Sequence, residues 1–106
     1  MAKFVLLFIG GTEPQGEAEQ AAVMQAWTDW FTTLGENVVD PGNPFSSTVK
    51  HLTSNGTVND GPLGARATGY SIIQADSLEA ATQRAKSCPH LMSGGQITVY
   101  ETFEVM

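Results

Sequence analysis

The chain holds a single cysteine, Cys88, in 106 residues. One thiol excludes an intrachain disulfide, and a chain of this length buries about 65% of its unfolded surface on folding, so a single domain over residues 1–106 needs no covalent staple. A lone thiol suits a reducing compartment, and a cytoplasmic location is expected. Basic residues are also scarce: five Lys and Arg stand against eleven Asp and Glu, a formal charge of -6. Lys3, Lys50, Arg66, Arg84 and Lys86 are scattered, and the negative balance repels phosphate backbones and anionic lipid. Neither nucleic acid nor a membrane is an expected partner. The apolar run from Phe4 to Ile9 has six residues, against the roughly 20 of a membrane span. Neither a span nor a signal peptide is expected. His51 and His90 lie in separate segments without ligand spacing around them, so no metal is predicted. Gly-x-Gly-x-x-Gly and Walker-type Gly-Lys-Ser/Thr motifs are missing as well, and no cofactor is predicted.

What is present alternates between two periods. KFVLLFI, residues 3–9, is rich in β-branched and aromatic residues and ends in Gly10-Gly11, the pattern of a strand buried on both faces. From Glu17 to Leu34, Val23, Trp27, Trp30 and Leu34 recur at spacings of four, three and four, which predicts a helix ending at Gly35. ENVVDPGNPF then turns and extends. SSTVKHLTS reads as a half-buried strand, and Asn55-Gly56 returns TVND as a short antiparallel arm. GYSIIQA, residues 69–75, is the next strand. Asp76 or Ser77 caps a second helix along Leu78, Ala81, Ala85 and Cys88, which Pro89 stops. PHLMSGG is a connector, and QITVYETFEV alternates through Ile97, Val99, Phe103 and Val105, with Glu101 interrupting that face.

The predicted order is strand, helix, strand with hairpin, strand, helix, strand. That is an α+β, ferredoxin-like split βαβ arrangement with an extra hairpin: an antiparallel sheet with two helices on one face. Two helices cover only one face, yet Phe4 to Ile9 is apolar on both sides. A second copy of the chain is the simplest cover, so a homodimer packed through its sheets is expected.

The segments NDGP, GYSIIQADSLEAATQRAKSCP and GGQITVYETFEV, in that order over residues 58 to 105, resemble the YCII-related family, in its branch named for an Asp-Gly-Pro-Phe motif. The resemblance implies a ferredoxin-like fold paired as a dimeric α/β barrel. In the wider family a histidine in the first helix and an aspartate before the proline that ends the second form a proposed acid-base pair. Here the first helix has no histidine, Cys88 precedes Pro89, and Leu63 replaces the motif phenylalanine, so only the motif aspartate, Asp60, is carried over.

Asp60 would serve as a general base if a cleft desolvated it, although Asp-Gly-Pro is also an ordinary turn. His51 precedes the hairpin and Asp60 follows it, so the two could face each other as a proton shuttle if the register allows. Arg66 is a candidate for binding an anionic group. Trp27 and Tyr70 are candidates for lining a pocket, Trp27 together with Trp30, Phe31 and Met24, whose helical spacing suits core packing equally. Cys88 reads as a buried structural thiol. Two readings follow. In the first the chain is a noncatalytic dimeric module that binds a small molecule or a partner. In the alternative it is a small acid-base enzyme acting on an aromatic or carbonyl substrate through Asp60 with His51.

Overall fold

A computed structural model describes residues 1–105. It has an α+β fold with one four-stranded antiparallel sheet, a separate two-stranded hairpin, two longer helices and a third of a single turn. The elements run β1 (Ala2–Ile9), α1 (Gly16–Leu34), β2 (Val38–Asp40), β3 (Lys50–Leu52), β4 (Val58–Asp60), β5 (Ala67–Ala75), α2 (Leu78–Ala85), a one-turn α3 (Pro89–Met92) and β6 (Gln96–Glu101). The sheet order is β2-β5-β1-β6, so the two long central strands are β1 and β5.

Alternation along β1 sorts the sheet into two faces. Phe4, Leu6 and Phe8 are buried, whereas Val5, Leu7 and Ile9 are only half-buried. The register carries that division across the sheet: Phe4 stands opposite Ile73 and Glu101, and Leu6 opposite Ser71 and Val99. The buried face packs against Trp30 and Leu34 of α1, Ala81 and Ala85 of α2, and Cys88. Each fully buried Phe, Leu or Ile side chain there stabilises the fold by about 1.5 to 3 kcal/mol. The small alanines of α2 let that helix lie close to the strands. Trp30 ties the two helices together by donating its indole N–H to the Arg84 carbonyl at 3.1 Å.

The first helix spans the segment its apolar stripe predicts, and its end is marked by the Gly35 amide, donated to the Phe31 carbonyl. Ser77, the second of the two expected caps, closes the start of α2 by accepting from the Ala80 amide at 3.0 Å.

Three local expectations are corrected. SSTVKHLTS, expected as a half-buried strand, supplies only Lys50–Leu52, which pairs with Val58–Asp60 outside the main sheet, while Val38–Asp40 within ENVVDPGNPF forms the sheet's edge. Two valines before Asp-Pro-Gly suffice for an edge strand, because only one side of it must be bonded. The second helix ends at Ala85 rather than running through Cys88 to Pro89, and Pro89 instead opens α3 within the supposed connector, since a missing N–H costs nothing at a first helical position. Finally, β6 ends at Glu101 rather than running to Val105. Its neighbour β1 has too little backbone left beyond that point, and the last bond runs from the Thr102 amide to the Lys3 carbonyl at 2.9 Å. Glu101 therefore sits exposed at the strand's end, and Phe103 and Val105 lie on the surface. No described helix is long and apolar enough to cross a membrane.

Candidate functional site

The segment after β2 shapes a recess on the helix side of the sheet edge. Asp40 turns the chain by accepting the Gly42 amide at 2.8 Å, and the buried Ser71 hydroxyl holds the loop down by donating to the Pro41 carbonyl at 2.7 Å. Asn43 accepts the Tyr70 amide at 3.3 Å, and the Phe45 amide reaches the Thr68 carbonyl at 2.8 Å. Gly69 makes this approach possible: a Cβ on it would fall 3.1 Å from the Asn43 carbonyl oxygen and 3.2 Å from the Pro44 Cα.

Between this loop, α1 and the end of β1 lies a cavity of about 380 Å³. Phe8, Val23, Met24, Trp27 and Phe31 supply its apolar wall, Pro41–Pro44 and Thr68–Ser71 its rim, and His90 an imidazole. The volume is that of a small-molecule site. Its aromatic wall is continuous. Phe8 meets Trp27 edge-on at 5.3 Å and His90 at 5.1 Å, while Trp27 contacts Trp30 at 5.7 Å and Phe31 at 5.8 Å. Trp30 is the member committed to the core. Trp27 is half-buried, and its indole N–H has no acceptor within the protein. Since no buried polar side-chain atom among the described residues lacks a partner, that N–H faces solvent.

The sequence places His90 only in the PHLMSGG connector, without ligand spacing around it, and the fold gives it a place in the cavity. It is 9% exposed and reaches across from α3 to the end of β1, where Nε2 lies 3.0 Å from the Ile9 carbonyl oxygen. A carbonyl oxygen can only accept, so Nε2 carries the proton. An adjoining hollow of about 310 Å³ shares His90, Trp27, Val23, Pro44 and Thr68 with the cavity and extends it toward Gly10–Pro14 and Arg66. Cys88, two residues before His90, is fully buried, and that burial pushes its thiol up to about 11, partly offset by the His90 backbone N–H.

The remaining sequence-predicted site residues do not converge. Asp60 stands opposite Lys50 across the hairpin and forms an ion pair with it, its side chain 89% exposed. His51 stands opposite Asn59, so strand alternation turns it to the other face of the ribbon from Asp60. Its Nδ1 lies 3.4 Å from the Gly61 carbonyl oxygen. The expected His51–Asp60 pairing is thus missed by one position of register. Arg66 is exposed at the edge of the 310 Å³ hollow and donates to the Ser46 carbonyl at 3.0 Å. Tyr70 borders the cavity through the strand itself. By alternation its ring lies on the opposite sheet face, stacked on Phe45 at 5.9 Å, with its hydroxyl 3.3 Å from Asp40. Trp27 alone of the five lines the cavity with its ring in the aromatic wall.

A further hollow of about 500 Å³ opens on that opposite face among Leu7, Ile9, Phe45, Val49 and Leu63. Although larger, it lacks an aromatic wall of its own beyond Phe45 and belongs to the sheet face that no helix covers. No three His, Cys, Asp or Glu side chains among the described residues gather in a metal-binding group. Compared with models of known protein families and with curated protein sequences, the chain matches none.

Proposed function

We propose that the chain is a noncatalytic, dimeric small-molecule-binding module whose site is the apolar cavity between α1 and the β2–β5 edge. The observation that carries the reading is the composition of that wall: five apolar or aromatic side chains line a recess of about 380 Å³, with one imidazole beside them. Such a site favours a flat, largely apolar molecule, held by area and stacking rather than by charge. The acid-base reading has no comparable support, because Asp60 and His51 lie on a solvent-exposed hairpin and line none of the three hollows.

The wider assignment also belongs to this proposal. The order β2-β5-β1-β6, with helices following β1 and β5, supports a ferredoxin-like split βαβ reading. The motif likeness over residues 58–105 points to a YCII-related dimeric α/β barrel. Surface area supports a partner copy on independent grounds. The chain exposes 7289 Å², whereas a folded monomer of 11.3 kDa exposes roughly 5,700 Å². The excess is about 1,600 Å², more than one partner's share of a standard interface. Its radius of gyration, 15.3 Å, likewise exceeds the value of about 13 Å for a compact domain of this length. Val5, Leu7, Ile9 and Ile72 lie on the face opposite the helices, and Leu52, Val58 and Leu63 stand out on or beside the projecting hairpin.

A thermal-shift screen against aromatic acids, naphthols and quinones tests the binding half. A ligand at 100 times its Kd stabilises the fold by about 2.7 kcal/mol. Met24→Trp, at a position 68% exposed on the cavity wall, should plug the mouth and abolish the shift, while Asp60→Asn should leave it intact. Hits insensitive to Met24→Trp would refute this site. Sedimentation tests the dimer: a stable single subunit at micromolar concentration would overturn it.

A further inference from the structure

Resting on that reading of the cavity, one residue defines the chemistry of the ligand. His90 is held more tightly than core packing requires. A Cβ on Gly11 would fall 2.9 Å from its Cε1, and one on Gly95 would fall 2.5 Å from both Cδ2 and Cε1 and overlap Nε2. Two loops far apart in sequence therefore leave out a side chain at the same imidazole. Phe8 packs against its ring, and the Ile9 carbonyl accepts from Nε2. That contact keeps a proton on Nε2, so in the neutral ring the lone pair lies on Nδ1.

Nδ1 has no partner within the protein. Because no buried polar side-chain atom among the described residues is left unpartnered, Nδ1 keeps contact with solvent although the residue as a whole is buried. His90 also lines both the apolar cavity and the hollow that continues it. We propose that His90 Nδ1 is the acceptor for a hydroxyl on a flat aromatic ligand, making phenols and enols the ligand class. A ketone or ether oxygen brings no proton to that lone pair, and a hydrocarbon leaves it dry and unpaired, which is where discrimination arises. The half-buried Trp27, with its free indole N–H, supplies the stacking surface beside it.

The test compares 2-naphthol with 2-methylnaphthalene, a probe of similar shape without a donor, by Trp fluorescence titration. The ratio of their affinities is measured in the wild type, in His90→Phe and in Gly95→Ala. Comparing ratios between proteins cancels the different hydration of the two probes. The naphthol preference should fall about tenfold in both variants, the size expected for one hydrogen bond to a desolvated acceptor. Gly95→Ala retains the histidine and only displaces its ring, so it separates position from presence. If both probes bind and the ratio is unchanged in the variants, the His90 assignment is wrong while the cavity stands. If neither probe binds the wild type, the cavity reading fails and this inference with it. Long-range ¹⁵N–¹H spectra of the wild type give a check that needs no variant to fold: an Nδ1–H tautomer for His90 would overturn the proposal, and an Nε2–H tautomer perturbed by naphthol would support it.

Discussion

Replacing Gly42 by alanine should destabilise the protein out of proportion to the one methyl group added. Gly42 has φ of 77°, a region that costs an L-residue roughly 1 to 2 kcal/mol. The added Cβ would also overlap the Tyr70 carbonyl oxygen and lie 2.7 Å from its carbon and 3.2 Å from the Ser71 Cα. All three atoms are backbone of a central strand, so the loop must give way instead. Lifting it breaks the bond from the Ser71 hydroxyl to the Pro41 carbonyl, leaving a fully buried hydroxyl unpaired at a cost of about 1 to 3 kcal/mol. The bond between the Tyr70 amide and the Asn43 carbonyl is threatened too, for roughly 1 kcal/mol more. The loss should total about 3 to 6 kcal/mol, a large fraction of the 5 to 15 kcal/mol typical of a domain. Urea unfolding should show a lower midpoint with the slope unchanged, and Tm should fall by about 15 °C or more. Gly56→Ala is the control, since Gly56 has φ of 89° but nothing within 4 Å of a Cβ; it should lose only about 1 to 2 kcal/mol. Equal losses at the two positions would refute the clash and the role of the Ser71 anchor.

The Cys88 thiol is raised by burial from 9.0 to about 11. Above pH 9 the unfolded chain loses this proton while the folded one keeps it, so stability is fully present below 9 and falls by about 1.4 kcal/mol per pH unit toward 11. Cys88→Ala should remove that part of the slope in denaturation curves between pH 9 and 11, and identical slopes would contradict the burial argument. Asp60→Asn breaks only an exposed ion pair and should change stability by less than about 1 kcal/mol. A larger loss in chemical denaturation would mean that the hairpin packs against something in solution.

How far the sequence could be read varied with the range of the interactions involved. The stripe Val23, Trp27, Trp30 and Leu34 and the cap at Ser77 were legible because a helix is built from neighbours three and four residues apart. Residues 69 to 75 were legible as a strand for the same local reason. Strand alternation overreached at Phe103 and Val105, where the pattern continues but the neighbouring strand does not. The β-branched residues of SSTVKHLTS read as a half-buried strand, and nothing local says that Val38–Asp40 takes the place beside β5. The candidate site suffered most. Asp60 stood out through its motif and His51 through proximity, yet a register of one residue sends their side chains to opposite faces.

His90 carried only a faint local sign, the glycines at 94 and 95 that follow it. Its other neighbours, Ile9 and Gly11, lie some eighty positions away in the chain, and only the antiparallel return of β6 beside β1 brings them together. The sequence by itself therefore determined most of the segments that coil or extend, and that the first strand would be apolar on both faces. Tertiary structure alone decided where a recess forms and which imidazole borders it. Periodicity is written in adjacent residues, whereas a cavity is made by surfaces whose residues meet only after the chain has closed on itself.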